Sequence, residues 1–258
     1  MNSLSACLIT FNEEDNLPRA LKSLAGIADE IVVVDCGSQD RTVEIAREFG
    51  ANVITIAWTN FAEQKNAAAA AASNDWILSL DADEELSPEL RKALLAWKEK
   101  EPGYAVYEFA RRAWYVGGWI HHSGWYPDRQ RRLFQRDAAR FSGIVHESLQ
   151  FEGEAGRLSG DLLHYTIHSF AEHEEKVERY TTLAAQQMYA AGKRGWRAAM
   201  WLATPWNWFN CYVLHLGILD GSRGWMISRM AARSTWLKFK KLGKLIETER
   251  HATRVQTP

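Results

Sequence analysis

The first hundred residues switch repeatedly between two hydrophobic periods, and that alternation constrains the fold more than any other feature of the chain. Leu4–Thr10 is a short apolar run that predicts a buried strand. Leu17, Ala20, Leu21 and Leu24 then recur at helical spacing within Glu13–Ala25. Glu30–Asp35 (EIVVVD) is apolar and β-branched throughout, as a central parallel strand buried on both faces must be. Ser38–Thr42 opens a helix that runs to Phe49, and Gly50 stands where a C-terminal capping glycine belongs. Asn52–Ile56 predicts a third strand, Phe61–Ala72 an alanine-rich helix, and Asp75–Leu80 a fourth strand. Pro88, after Ser87, marks the first position of another helix. Strands alternating with helices predict an α/β fold, an open and mainly parallel sheet flanked by helices.

Ligands of such sheets bind beyond the carboxyl ends of the strands. The residues there are Thr10-Phe11-Asn12-Glu13, Asp35-Cys36-Gly37-Ser38 and Asp81-Ala82-Asp83-Glu84, all rich in acceptor side chains. Two carboxylates one residue apart, Asp81 and Asp83, can serve a hard divalent cation that takes its other ligands from phosphate and water. Each position also has a plainer reading. Asp35 beside Gly37 and Ser38 suits a turn, Asn12-Glu13 suits a helix start, and Gln64-Lys65-Asn66 suits a solvated helix face.

Four segments in order, LITFNEEDNL, IVVVDCGSQDRT, EQKNAA and LSLDADEEL, resemble the family 2 glycosyltransferases, whose fold is the Rossmann-like GT-A fold. They span residues 4–100. The resemblance implies that Thr10, Phe11, Asn12 and Glu13 line a nucleotide pocket and that Asp35 accepts from the base. It implies that Gln64, Lys65 and Asn66 lie near the base, ribose or donor sugar, that Asp81 contacts the ribose or donor side, and that Asp83 binds Mn2+ or Mg2+ bridging a diphosphate. RRLFQRDAARFSGIVHESL and LLHYTIHSFAEHEEKVERYTTLAA further resemble bacterial lipopolysaccharide inner-core glucosyltransferases. The implied reaction is inverting transfer of a sugar, glucose from UDP-glucose, to an inner-core heptose. A polyprenyl-phosphate or protein acceptor, or a catalytically silent nucleotide-sugar-binding scaffold, are the alternatives.

Inversion requires a base for the acceptor hydroxyl. Glu147, after a glycine-bounded β-like run, is the first candidate, and Asp128 in Tyr126-Pro127-Asp128-Arg129 the second. The other reading of Glu147 is a surface acid paired with an arginine. His164 either completes the metal site with Asp83, touches the diphosphate or is structural. Arg129, Arg131 and Arg132 suit a phosphate clamp or a basic face for an anionic acceptor, and Trp114, Trp119 and Trp125 suit sugar stacking or core packing.

The expected division is a catalytic domain over 1–168, with a nucleotide-sugar half (1–100) and an acceptor half (101–168), followed by a helical C-terminal extension over 169–258. Charge separates the two. From residue 190 onward 12 Lys/Arg face 3 Asp/Glu, against 19 and 29 before it, although the whole chain carries only −1. Residues 198–219 hold no charged side chain, but Trp201, Trp206 and Trp208 with Pro205. That composition makes a poor spanning helix and suits the interface of a membrane, with Arg223–Lys244 meeting anionic lipid. A buried helical hairpin or a dimer contact is the alternative. The balance of charge and the missing recognition motif argue against nucleic acid. Three scattered cysteines and an N-terminus without a basic or long apolar run predict a cytoplasmic protein, which the tail would place peripherally on the inner face of the inner membrane. A lipid-linked glycan acceptor is what the resemblance implies.

Overall fold

The computed structural model describes residues 1–143 and 147–255, the last six by backbone alone. They form two units, residues 1–112 with 128–165, and residues 113–127 with those from 166 onward. A single boundary after residue 168 does not anticipate the stretch 113–127, which the second unit takes from mid-chain.

The first unit begins with β1 (Leu4–Thr10), α1 (Leu17–Leu24), β2 (Glu30–Asp35), α2 (Thr42–Glu48), β3 (Asn52–Thr55), α3 (Phe61–Ala70) and β4 (Trp76–Asp81). After these come β5 (Glu84–Leu86) and α4 (Pro88–Lys98), then β6 (Val106–Tyr115), β7 (Gly118–Trp119), β8 (Asp128–Gln135), β9 (Ala139–Ser142), β10 (Ser148–Phe151) and β11 (Gly156–Ile167). Among the described residues the sheet runs β3-β2-β1-β4-β8-β6-β11-β5, with β7 paired to the end of β6. The pairs β3-β2, β2-β1 and β1-β4 are parallel, whereas β8 is antiparallel to both β4 and β6, and β5 to β11. The sheet is therefore mixed, with its parallel part on the side the sequence made legible.

Period-two alternation divides the core. Leu4, Ala6 and Leu8 of β1 and Val33 of β2 join Leu17, Leu21 and Leu24 of α1 and Leu90 and Leu94 of α4 in one cluster. Cys7, Val32 and Val34 point the other way, onto Ala62, Ala68 and Ala69 of α3. Alanine suits α3 because small side chains let the helix lie close on the sheet. The helix starts are locally encoded. Asn60 accepts from the Glu63 amide at 3.0 Å, and the Ser87 hydroxyl accepts from the Leu90 amide at 3.1 Å with Pro88 at the first turn. At the start of α2, within the expected Ser38–Thr42 segment, Arg41 makes no capping bond and the Asp40 carboxylate accepts from the Thr42 amide at 3.0 Å.

In the second unit, α5 (Phe170–Ala190) and α6 (Trp196–Phe209) each pack on the long α7 (Gly221–Val255). The insertion of residues 113–127 has a specific anchor. The Asp220 carboxylate accepts from the His121 amide (3.0 Å), the His122 amide (3.1 Å) and the Ser123 hydroxyl (2.8 Å). Arg223 donates to the carbonyls of Val116 and Gly117. Trp114 and Trp119 pack edge to face at 5.0 Å across β6-β7, and Trp125 packs on Tyr115, which favours the packing reading of all three. Among the described residues no helix is long and apolar enough to cross a membrane.

Gly160 is the tightest joint of the first unit. Its φ is +93°, and a Cβ there would lie 2.6 Å from Leu90 Cα and 2.7 Å from the Glu89 carbonyl carbon. Gly160→Ala should therefore lower stability by more than about 1 kcal/mol, read as a lower urea midpoint at unchanged slope. An unchanged midpoint would mean that β11 and α4 are not closely apposed.

Candidate active site

Parallel register brings two carboxylates to one edge of the sheet. Thr10 stands opposite Asp35 on β2, and Ile9 opposite Asp81 on β4, so both aspartates end their strands beside the end of β1. Their environments then diverge.

Asp35 is 1% exposed. Its Oδ1 accepts from Thr10 Oγ1 (3.0 Å) and Ser38 Oγ (2.5 Å), and its Oδ2 from the amides of Gly37 and Ser38 (both 2.9 Å). All four acceptor positions of the carboxylate are filled from within the protein. In this state Asp35 and the buried Thr10 organise the loop, as the turn reading requires, and present no free acceptor to a base. Asn12 adopts φ +54°, a left-handed conformation that asparagine tolerates. It is held by its amide donating to Ser38 Oγ and its Oδ1 accepting from the Gln39 amide. Phe11 is 57% exposed at the tip. Glu13 donates its amide to Thr42 Oγ1 and accepts from Asn16. Burial raises the Glu13 pKa; the hydrogen bond from Asn16 opposes this, and the nearby charges of Asp83, Asp40 and Asp81 add to it.

Asp81 is the centre of a chain of alternating charge. Lys65 Nζ lies 2.8 Å from Asp81 Oδ1 and 2.9 Å from Glu147 Oε1. Arg132 lies 2.5 Å from Asp81 Oδ2 and 3.0 Å from Glu84 Oε1, while the Asp81 amide donates to Glu84 Oε2 at 3.0 Å. Arg111 continues the chain, 3.3 Å from Glu84 and bonded to Asp128 Oδ2 through Nε (2.9 Å) and NH2 (2.6 Å). Lys65, Arg132 and Glu84 are almost fully buried. Burial alone would push the Asp81 carboxyl up, but Arg132 and Lys65 more than reverse this and hold it well below the usual carboxylate range. Gln64 and Lys65 are likewise buried, not a solvated face. Gln64 donates to the Ala57 carbonyl, and Asn66 exchanges two 2.9 Å bonds with the backbone of Phe141. Asn66 thereby fixes β9, whose partner β10 follows Glu147. Val145 and His146, which precede Glu147, lie outside the described residues.

Asp83 faces elsewhere. The pairing of β5 with β11 sets His164 opposite Glu84, and the Tyr165 amide donates to the Asp83 carbonyl at 3.0 Å. His164 Nε2 then lies 3.0 Å from Asp83 Oδ2, both side chains partly exposed. The two carboxylates of Asp81-Ala82-Asp83 thus do not share one task, since Asp81 is ion-paired and Asp83 is joined to an imidazole. A carboxylate oxygen and an imidazole nitrogen at this spacing fit a divalent cation that takes its remaining ligands from diphosphate and water. Among the described residues no group of three such side chains could hold a metal without that help.

A cavity of about 500 Å³ is lined by Lys65, Asp81, Arg111, Arg132, Phe141 and Glu147, with Glu108, Arg129 and Arg131 among the others. Sequence reasoning missed Glu84 and Arg111. An acid straight after the Asp81-Ala82-Asp83 pair, and the Arg111-Arg112 pair inside the β-like run from Val106, were the signals available.

Residues 5–151 match the family model described as glycosyl transferase family 2. Over 202 residues, 74% of this chain and 73% of the other, the chain is 34% identical to the lipopolysaccharide core biosynthesis glycosyltransferase LpsC of Rhizobium meliloti. Over 257 residues, 95% of this chain and 88% of the other, it is 29% identical to an uncharacterized glycosyltransferase of Rickettsia typhi. Among solved structures, glucosyl-3-phosphoglycerate synthase from Mycobacterium tuberculosis in complex with Mn2+ and UDP-glucose is 24% identical, with a TM-score of 0.36 over 45% of each chain. The chain belongs to glycosyl transferase family 2 and is a glycosyltransferase.

Removing one partner from a buried ion pair leaves an uncompensated charge and costs roughly 3–5 kcal/mol. Lys65→Met should lower unfolding stability by that order in urea titrations. Asp81 adds a pH dependence. Because its folded pKa lies below the unfolded value of about 3.9, its contribution is present above that pH and lost as pH falls further. Asp81→Asn should flatten the acid limb of stability against pH; an acid limb identical to wild type would refute the ion-paired state.

Proposed function

We propose that this glycosyltransferase moves a UDP-linked sugar, glucose in the first instance, onto a heptose hydroxyl of the lipopolysaccharide inner core with inversion. The acceptor class is carried by the similarity to LpsC across three quarters of the chain. The chemistry follows from the carboxylates. Lys65 engages Oε1 of Glu147, and among the described residues Oε2 has no partner, which leaves one oxygen of this cavity-lining carboxylate to take a proton. Asp128 is a poorer base. Its Oδ2 already accepts twice from Arg111, and its Oδ1 accepts from Gln130 at 2.8 Å. In the reaction the acceptor oxygen bonds to the anomeric carbon as the carbon–phosphate oxygen bond breaks. The hydroxyl proton passes to Glu147 and the nucleoside diphosphate departs. Asp83 and His164 would hold Mn2+ or Mg2+, which when bound neutralises charge on the leaving diphosphate.

UDP with Mn2+ should raise the melting temperature, with about 2.7 kcal/mol added near 100 times the dissociation constant. The metal-dependent part should vanish in Asp83→Ala. Glu147→Gln should cut kcat by roughly 10²–10⁴-fold and leave UDP binding intact, whereas Asp128→Asn should do much less. Nucleotide binding without turnover on any core acceptor would instead favour the silent scaffold. Transfer to polyprenyl phosphate or protein alone would replace the acceptor.

The acceptor's lipid anchorage agrees with the second unit. The helix α6 has no buried residue, and Trp201, Leu202 and Trp206 are 72%, 72% and 57% exposed. Tryptophan beside a charge-free face suits the headgroup zone, and the basic excess beyond it suits anionic lipid. Binding to phosphatidylglycerol vesicles at low salt is expected, weakened by high salt and by Trp201→Ser with Trp206→Ser. Equal binding to neutral vesicles, or none, would remove the lipid reading.

A further inference from the structure

A β-bulge decides which way the arginines of β8 point. Phe134 and Val106 pair and both belong to the cluster on the α3 side of the sheet, while Leu133 and Tyr107 pair on the opposite side. Strict alternation would send Arg131 and Arg129 after Leu133, away from α3. The register instead shifts between Tyr107 and Glu108, so that β8 carries one extra residue and Arg131 stands opposite Glu108, Arg129 opposite Ala110. Both arginines thereby line the cavity that holds Lys65, Phe141 and Glu147. Arg132, at the bulge, is left to reach Asp81 and Glu84.

Cation and anion do not balance there. Arg129 and Arg131 share Glu108 at 3.9 and 4.0 Å, too far for hydrogen bonds, and Arg157 takes the same carboxylate at 3.0 Å. Three guanidinium groups thus face one carboxylate, and the side chains of Arg129 and Arg131 are 40% and 48% exposed. Asp83 and His164 do not line this cavity, whereas Glu147 does. The anion the arginines await therefore sits on the side of the base, not on that of the metal pair.

We propose that Arg129 and Arg131 form an acceptor subsite that recognises an anionic group, a phosphate or a carboxylate, on the sugar presented to Glu147. This rests on the reading of Glu147 as the acceptor-side base. Planar guanidinium groups bind either anion through paired N–H donors, and Glu108 acts as the built-in competitor that keeps the pair ordered until the acceptor arrives.

The test uses the full chain, saturated with UDP and Mn2+, and three monosaccharide probes, namely glucose 6-phosphate, glucuronate and glucose, titrated by NMR. At least one anionic probe should bind about tenfold or more tighter than glucose, and which one does so separates phosphate from carboxylate. The preference should fall with salt and disappear in the Arg129→Gln/Arg131→Gln double variant at an unchanged melting temperature. Glu108→Gln should strengthen it, an effect of opposite sign that a merely structural arginine cluster would not give. Equal binding of all three probes, a preference that survives the double variant, or displacement of the anionic probe by UDP would each overturn the proposal. If UDP fails to bind at all, the donor reading fails separately, and the same titrations on the free protein still decide the subsite.

Discussion

The structure of the first unit turns on Asp81, because two buried cations depend on it. Lys65 is 3% and Arg132 4% exposed, and an isolated charge at such depth would cost several kcal/mol to desolvate. Each is tolerable only because Asp81 takes one on each oxygen, while Glu147 and Glu84 take the outer sides. The pairs tie together four elements that the backbone alone would leave loosely related, namely the end of β4, the helix α3, the strand β8 and the segment entering β10. Such a network contributes little net stability relative to an apolar core of the same shape. What it supplies is position, since the carboxylates at its two ends, Glu147 and Asp128, are held at fixed places by cations that cannot move without losing Asp81 or Glu84.

The parallel half was legible because its strands are buried on both faces and its helices expose one apolar stripe, patterns that survive in the sequence without knowledge of partners. The edge rule then pointed to residues 10–13, 35–38 and 81–84, which follow β1, β2 and β4. What the pattern hides is the orientation of each side chain. Asp35 reads as a pocket acceptor or as a turn residue, and only the four donors around it favour the turn. Asp81 and Asp83 look like a matched pair, yet β4 ends at Asp81 and the chain turns before Asp83, so the carboxylates separate. The strand β5 has three residues, too few for any period to appear, and its partner β11 lies about eighty residues on. His164 acquires its place beside Asp83 from that pairing alone. The bulge at Arg132 is equally silent, because an inserted residue in a polar stretch leaves no break in hydrophobic alternation.

The second unit shows the same limit from the other side. The uncharged stretch 198–219 and the basic excess after it are compositional and were visible at once. The insertion of residues 113–127 was not, because it is secured by Asp220 on the amides of residues 121 and 122, a contact across nearly a hundred residues that involves backbone donors of any sequence. The exposed indoles of α6 have a compositional signal and little cover, Trp206 meeting a tilted Phe209 ring at 6.1 Å, whereas Trp114 and Trp119 pack edge to face at 5.0 Å.

Proton transfer to Glu147 would remove a negative charge next to a buried lysine, which would ordinarily be costly. The alternation of charge limits that cost. Lys65 keeps Asp81 at 2.8 Å when Glu147 is neutral, and Asp81, held far below its usual pKa chiefly against its own burial by Arg132 and Lys65, does not compete for the proton. Glu147 could thus change charge at the end of the chain while the interior stays paired. A lone carboxylate in the same cavity would need solvent to do this, and solvent near an activated sugar would compete with the acceptor hydroxyl. Were Glu147 the base, the buried pairs would let a single terminal carboxylate cycle between two charge states in a fixed frame.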